Sequence, residues 1–337
     1  VYPPGERGKA IGINIATIYI ALSLGPVLGG VMTRYLGWRS LFFAMIPLGL
    51  AILVVIWWRL DGEWAESRGE RFDLRGSLLY GTALVMLMYG FSLLPGLKGV
   101  VLVLFGIIGF VGFVRFELRV ESPLLDIRLF ENRTFAFSNL AALINFSASW
   151  AVGFLLSLYL QYLKGFDPKS AGMVLVVQPL VQALFAPIAG RLSDSIPARN
   201  LASLGMALCT MGLFILTFIT ARTDVAVVSG GLAVLGLGFA LFSPPNTSAI
   251  MGAVEKRFYG VASAMVSTMR LLGQMFSMGL ALMVFALFIG NVRITPVQYP
   301  ALLDSIHTVF IICTVLCFLG IFVSLARGEG RGAGKRG

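Results

Sequence analysis

The sequence predicts an all-α polytopic membrane protein with about ten transmembrane helices, and three observations predict it. Apolar runs of membrane-crossing length follow one another along nearly the whole chain, at 9–33, 38–58, 76–97, 99–116, 135–163, 170–190, 200–221, 225–251, 258–290 and 301–326. Hydrophobic residues make up 58% and charged residues only 12%, with a mean hydropathy of +0.88; a soluble domain carries about 25% charge. Lysine and arginine also alternate between successive connections, 18 falling in one set and 7 in the other, with Arg270 inside a run. About 20 residues at ~1.5 Å rise cover a hydrocarbon core of ~30 Å, and the side richer in Lys and Arg faces the cytosol. Both ends of the chain are therefore expected on the cytosolic side of the plasma (cell inner) membrane.

Taken in order, the first run, Lys9–Thr33, carries Gly25-Pro26-Val27-Leu28-Gly29-Gly30 in its second half. Such residues are penalised in a soluble helix but tolerated where neighbouring helices satisfy the freed carbonyls. Gly25 and Gly29 share one face and admit another backbone closely, so the run reads either as a packing groove or as a gate helix. The runs 76–97 and 99–116 are separated only at Lys98, and 258–290 would span ~50 Å as one helix, which requires tilt, bend or a headgroup segment. Prolines 244 and 245 are expected to break their helix near its cytosolic end, and Pro179 and Pro187 to kink theirs.

The connections divide by character. Residues 59–75 mix both signs and read as a solvated loop. Residues 117–134 place Leu124, Leu125, Ile127, Leu129 and Phe130 among charges, which suggests a short amphipathic piece on the membrane surface; a plain loop with buried anchors is the alternative. The glycine-rich basic tail 327–337 reads as disordered and drawn to anionic lipid heads.

Composition also excludes function classes. The net charge of +10 does not indicate nucleic acid, because the basic residues lie between apolar runs rather than along one polar face. Cys209, Cys313 and Cys317 all lie within apolar runs, and His307 is the only histidine, so neither a disulfide framework nor a metal site is expected. No phosphate-binding loop with a lysine and no nucleophile–base set appears, so the chain reads as no enzyme and takes no cofactor. Energy would come from an ion gradient, but Asp194, Asp224, Glu255 and Asp304 all sit at the ends of runs, and a proton-carrying carboxylate inside the membrane is not visible.

Candidate functional residues are the polar groups in apolar surroundings. Arg270 lies ~20 Å into its run by helical rise, where an unpaired cation costs several kcal/mol; it reads as a cavity-lining charge or as a snorkelling arginine. Gln274 is one turn beyond it, and Gln178 and Gln182 share a face of another run. Asn145 and Asn246 join them as groups that bond a substrate or tie helices together. Trp150, with Phe146, Phe154 and Met173, offers an adaptable aromatic wall for apolar cations or neutral drugs.

Several motifs resemble one family. Gly25-Pro26-x-x-Gly29-Gly30, Gly37-Trp38-Arg39-x-x-Phe42-Phe43 and Pro47-x-Gly49 look like the antiporter motif and following span of the major facilitator superfamily, closest to its 14-span drug:proton antiporter branch (EmrB/QacA-type). Ser122-Pro123-Leu124-Leu125-Asp126-Ile127-Arg128-Leu129-Phe130 with Arg133-Thr134-Phe135 resembles that branch's connection between its eighth and ninth spans. Gly190-Arg191-Leu192-Ser193-Asp194, with Arg199 following, resembles the cytosolic loop motif, although Ser195, Ile196, Pro197 and Ala198 stand where the family usually has a basic residue and then Gly-Arg.

The resemblance implies a helical bundle of that superfamily, with the ten runs as the family's fifth to fourteenth spans and the first four absent. Residues 1–58 would finish the amino-terminal bundle, 59–134 would hold two linker spans with their cytosolic connections, and 135–326 would form the carboxy-terminal six-helix bundle. Gly25, Pro26, Gly29 and Gly30 would form the gate, and Asp194 would join two helices in the outward-open state. The implied function is a secondary active transporter, a proton-coupled exporter of drug-like amphiphiles working by alternating access. Its partners would be that substrate, protons and the lipid bilayer. The alternatives are a transporter of a specific metabolite or lipid, and a truncated membrane protein that transports nothing.

Overall fold

The computed structural model describes residues 39–59, 73–120, 125–290 and 295–328, together with Pro123 and single positions between 13 and 37. Apart from such single positions, the first apolar run lies outside the described residues, Gly25, Pro26, Gly29 and Gly30 included, as do most of the 59–75 connection and the end of the tail. Nine helical stretches among the described residues are long and apolar enough to cross a membrane, and they coincide with the other nine runs.

The first is α1, Arg39–Arg59, which holds Pro47 in its interior and buries none of its residues. Two antiparallel helices follow, α2 (Leu74–Ser92) and α3 (Leu97–Glu117). Glycine sets their separation: a Cβ at Gly90 would come within 2.7 Å of the Val103 backbone nitrogen, and one at Gly106 within 2.8 Å of that of Leu87. With no hydrophobic force between helices in lipid, such backbone approach is how they associate.

The remaining six spans surround one core. The fourth span, Arg133–Leu163, is built of α4 (Arg133–Ser149), α5 (Val152–Leu158) and a π turn over Tyr159–Leu163. The fifth is α6 (Pro168–Leu175) followed by α7 (Val177–Leu192). Then come α8 (Ala198–Thr217), α9 (Val225–Gly252), α10 (Tyr259–Phe288) and α11 (Tyr299–Ala326). Leu155, Leu156, Met206, Leu213, Leu235 and Phe310 are among the fully buried side chains at their centre. Between α8 and α9 the contact is again glycine on backbone, since a Cβ at Gly205 would meet the Phe242 nitrogen at 2.6 Å and one at Gly238 the Cys209 nitrogen at 2.7 Å.

Acidic and amide side chains sit at span starts as caps. Asp73 accepts from the Gly76 N–H, Asn132 from Thr134 and Phe135, Asp167 from Lys169 and Ser170, and Asp224 from Ala226. Each satisfies backbone donors that have no partner within their helix.

Two local expectations change, at Pro244–Pro245 and in the 117–134 connection. The pair Pro244–Pro245 does not break its helix: both are buried inside a continuous α9, where Gly205 of α8 presses against the Leu241–Phe242 backbone. The 258–290 run is one long α-helix, Tyr259–Phe288, preceded by a 3₁₀ turn. The 117–134 connection is tucked in rather than laid on a surface. It forms a 3₁₀ turn over Ile127–Glu131, Leu125 is buried, and Leu129 and Phe130 pack on a second core with Phe113, Phe135, Ile250 and Met265. Phe130 meets Phe135 edge-on, and Leu125 donates its N–H to the buried Glu117 carboxylate.

Candidate functional site

The fourth span is interrupted in mid-course. Residues Trp150 and Ala151 form a turn between α4 and α5, and the Ala151 N–H leaves the helical ladder to donate to Ser277 Oγ of α10 at 2.9 Å. Ala151 and Ser277 are buried, while the Trp150 side chain is 45% exposed. Trp150 and Ala151 both keep right-handed helical dihedrals and the Trp150 N–H still reaches the Phe146 carbonyl at 3.2 Å, so the interruption is the diversion of one N–H rather than an unwound segment. Here one side of the break is buried and the other is open.

Alongside the break runs the α10 face that carries Arg270, Gln274 and Ser277, at spacings of four and three residues that place them on one side of the helix. Gly273 brings α10 against α4 at this level, because a Cβ there would stand 2.7 Å from that of Phe146 and 2.8 Å from the Leu143 carbonyl oxygen. Arg270 is eleven residues inside α10, or ~16 Å along its axis. Both Arg270 and Gln274 are half-buried, and neither has an ion-pair or hydrogen-bond partner among the described residues. The break touches this α10 face at Ser277, with Gln274 and Arg270 one and two turns before it on the same face, while Trp150 is exposed on the fourth span.

The fifth span is interrupted as well, at Val176 between α6 and α7. Pro179 explains it, since the missing N–H leaves the Leu175 carbonyl without its helical donor. Gln178 sits beside this interruption, half-buried, and its carbonyl lies against Gly236 of α9, 2.5 Å from where a Cβ would stand. One turn further on, Gln182 is buried. Pro187 is accommodated inside α7.

Other candidates belong to the interior. Asn145 and Asn246 are buried, and Asn246 Nδ2 donates to the Ser138 carbonyl at 3.1 Å. Asn145 faces the Cys209 thiol, while Asn246 Oδ1, Ser138 Oγ and Ser149 Oγ are buried without a hydrogen-bond partner among the described residues. These groups line the α4 side of the bundle core rather than its open face. The aromatic wall divides similarly: Trp150 and Met173 are exposed, whereas Phe146 is buried against Phe239 and Phe154 packs near Phe285.

The loop between α7 and α8 gathers the remaining candidates. Gly190 is buried in the last turns of α7, Arg191 and Asp194 are exposed, and Asp194 lies in the turn between the two helices. Arg199, in the first turn of α8, is half-buried with its Nε inside and unpartnered. A separate groove of about 430 Å³ between α8 and α11, lined by Thr210, Met211, Phe214, Thr314, Phe318 and Ile321, holds none of the candidates. Its two threonine hydroxyls are bonded back to their own helices, so it offers an apolar, lipid-like face.

Known proteins are similar to this chain. The model of the Major Facilitator Superfamily matches residues 139–336, which run from within α4 through α11 to all but the last residue of the tail. The chain belongs to the Major Facilitator Superfamily. It is 30% identical to the riboflavin transporter RibZ of Clostridioides difficile over 332 residues, covering 96% of this chain and 71% of that protein. It is 30% identical to the multidrug resistance protein Stp of Mycobacterium tuberculosis over 80% of this chain and 50% of Stp. It is 26% identical to the tetracenomycin C resistance and export protein of Streptomyces glaucescens over 78% of this chain and 50% of that protein. The chain thus spans between half and about seven-tenths of the length of these relatives. It is an integral membrane protein of a transporter family, and its relatives are transporters rather than enzymes.

Two positions make buried contacts that the sequence does not mark. Ser277 is a small hydroxyl in an apolar run, and only its offset of seven residues from Arg270 hinted at a shared face. Arg327 was grouped with the tail, yet it is 1% exposed and packed at the end of α11.

Proposed function

We propose that this chain forms the greater part of a secondary transporter that exports drug-like amphiphiles in exchange for protons by alternating access. The observation that carries this reading is the break at Trp150–Ala151 beside Arg270 and Gln274. In such bundles, interrupted helices supply substrate groups at the bilayer midplane. A flat aromatic or lipophilic molecule would stack on Trp150 and take a hydrogen bond from Gln274. Arg270 would hold an anionic substrate group or the carboxylate that carries the proton, and the described residues contribute no carboxylate near the middle of a span.

Support for export comes from the resemblance to the 14-span drug:proton antiporters and from relatives described as multidrug resistance and tetracenomycin export proteins. On that reading the ten spans correspond to the fifth to fourteenth. Ten of fourteen is in keeping with the 71% of RibZ that the match covers. Gly25, Pro26, Gly29 and Gly30 would form the gate, and the 190–199 loop with Asp194 and Arg199 would lock the cytosolic side of the outward-open state. The chain ends would face the cytosol of a bacterial plasma membrane.

A second reading, transport of one planar aromatic metabolite, is favoured by the extent of the match to a riboflavin transporter. The test is uptake of a fluorescent amphiphilic cation, or of riboflavin, into inverted vesicles under an imposed pH gradient. Gradient-dependent uptake of the cation that Arg270→Ala reduces tenfold or more would support the antiporter. Uptake of riboflavin alone would support the second reading, and no gradient dependence for wild type would remove proton exchange.

A further inference from the structure

Arginine 327 is 1% exposed at the end of α11. Its Nε donates to the Ser324 carbonyl and its Nη2 to Ser324 Oγ, which also accepts from Ser203 Oγ of α8 at 2.8 Å. Its Nη1 is buried with no partner among the described residues. Arg199 lies one turn before Ser203 on the same face of α8, which sets it beside Arg327 across the Ser203–Ser324 bond; burial, and after it this second cation, brings the Arg327 guanidinium down to about 10. Arg199 buries its own Nε without a partner among the described residues. Neither guanidinium has a carboxylate partner among the described residues. Arg199 also stands in the first turn of α8, a 20-residue helix whose start at Pro197 has no side-chain cap.

Two adjoining guanidiniums with unused donors, beside the positive end of an uncapped helix, are the composition of an anion site. We propose that Arg199 and Arg327, with the start of α8, bind a phosphate-bearing anion at this end of the bundle. Both lie where membrane-spanning helices end, the depth of lipid headgroups, and basic pockets between such helices take phospholipid phosphates. Arg199, being half-exposed, is the outer half of the site, and Arg327 the inner half that fixes it against Ser203 and Ser324. The proposal is independent of what the protein transports and in which direction.

Native mass spectrometry of the full chain in detergent tests it, with phosphatidylglycerol, phosphatidylcholine or inorganic phosphate added, alongside melting curves. Wild type should retain phosphatidylglycerol at least fivefold better than Arg199→Gln/Arg327→Gln, and phosphatidylcholine should bind both proteins alike. Phosphate adducts that the double variant loses, without a preference for phosphatidylglycerol, would equally support the site and make its occupant a soluble anion. Because the double variant removes a buried group, Arg199→Gln alone and Arg199→Lys are the controls: the first should lose the adduct and the second keep it. Equal phosphatidylglycerol retention by wild type and Arg199→Gln would overturn the proposal, as would loss of the adduct in Arg199→Lys to the same degree as in Arg199→Gln.

Discussion

Replacing Ser277 with alanine removes one oxygen and tests the broken span directly. In the native chain that oxygen is the acceptor for the Ala151 N–H at 2.9 Å, and both residues are buried. A buried N–H left without a partner costs about 1–3 kcal/mol. Hydrogen bonds between membrane helices measure less, ~0.6 kcal/mol on average and up to ~1.7, because the chain finds alternatives. Here the alternative is specific: Ala151 could return its N–H to the Ser147 carbonyl, making α4 and α5 continuous. The expected loss is therefore about 1 kcal/mol, or about 2–4 °C in the melting temperature. Continuity would also turn Trp150 away from its exposed setting, shifting its fluorescence and its accessibility to an aqueous quencher. Ser277→Thr, which keeps the hydroxyl, should preserve the Trp150 signal. A Ser277→Ala protein with unchanged melting and unchanged Trp150 quenching would refute the reasoning that Ser277 holds the break.

Gly238→Ala would put a methyl 2.7 Å from both the Cys209 nitrogen and its sulfur, so α8 and α9 must separate; the expected cost is about 1–3 kcal/mol, read as a lower melting temperature, while Gly230→Ala, facing open space, should change little. Asn132→Ala removes the cap on the Thr134 and Phe135 N–H groups and a bond to the Ala253 carbonyl. It should cost about 0.5–2 kcal/mol, visible as faster hydrogen exchange in the first turn of α4.

Much of the architecture was legible because hydropathy acts as an average. Nine apolar runs became nine membrane-length helices, since a bilayer forces every backbone group in a run to bond within it. The site was legible only in part. Arg270 and Gln274 stood out because a charge and an amide are conspicuous among apolar neighbours. The break itself had no such mark: Ser149-Trp150-Ala151 contains neither proline nor glycine, and the hydroxyl opposite it lies 126 residues away in sequence. Asn145 and Asn246 look the same in sequence as Gln178, yet they face the core, and only the angular placement of α4 and α9 decides that. Pro244 and Pro245 misled for a related reason. Proline lacks the N–H but has a helical φ, and close packing on Gly205 lets α9 run through them. Arg327 resembled the basic tail beside it, and its burial follows from the serines on α8 and α11.

Substituted-cysteine labelling tests the central claim most directly, in a background where Cys209, Cys313 and Cys317, all buried, are replaced by serine. With a membrane-impermeant thiol reagent, Trp150→Cys and Gln274→Cys should both be modified, and a transported amphiphile should protect both. Modification of Asp194→Cys in the surface loop, with no labelling of positions 150 and 274 in either vesicle orientation, would contradict the placement of a substrate path at the broken span.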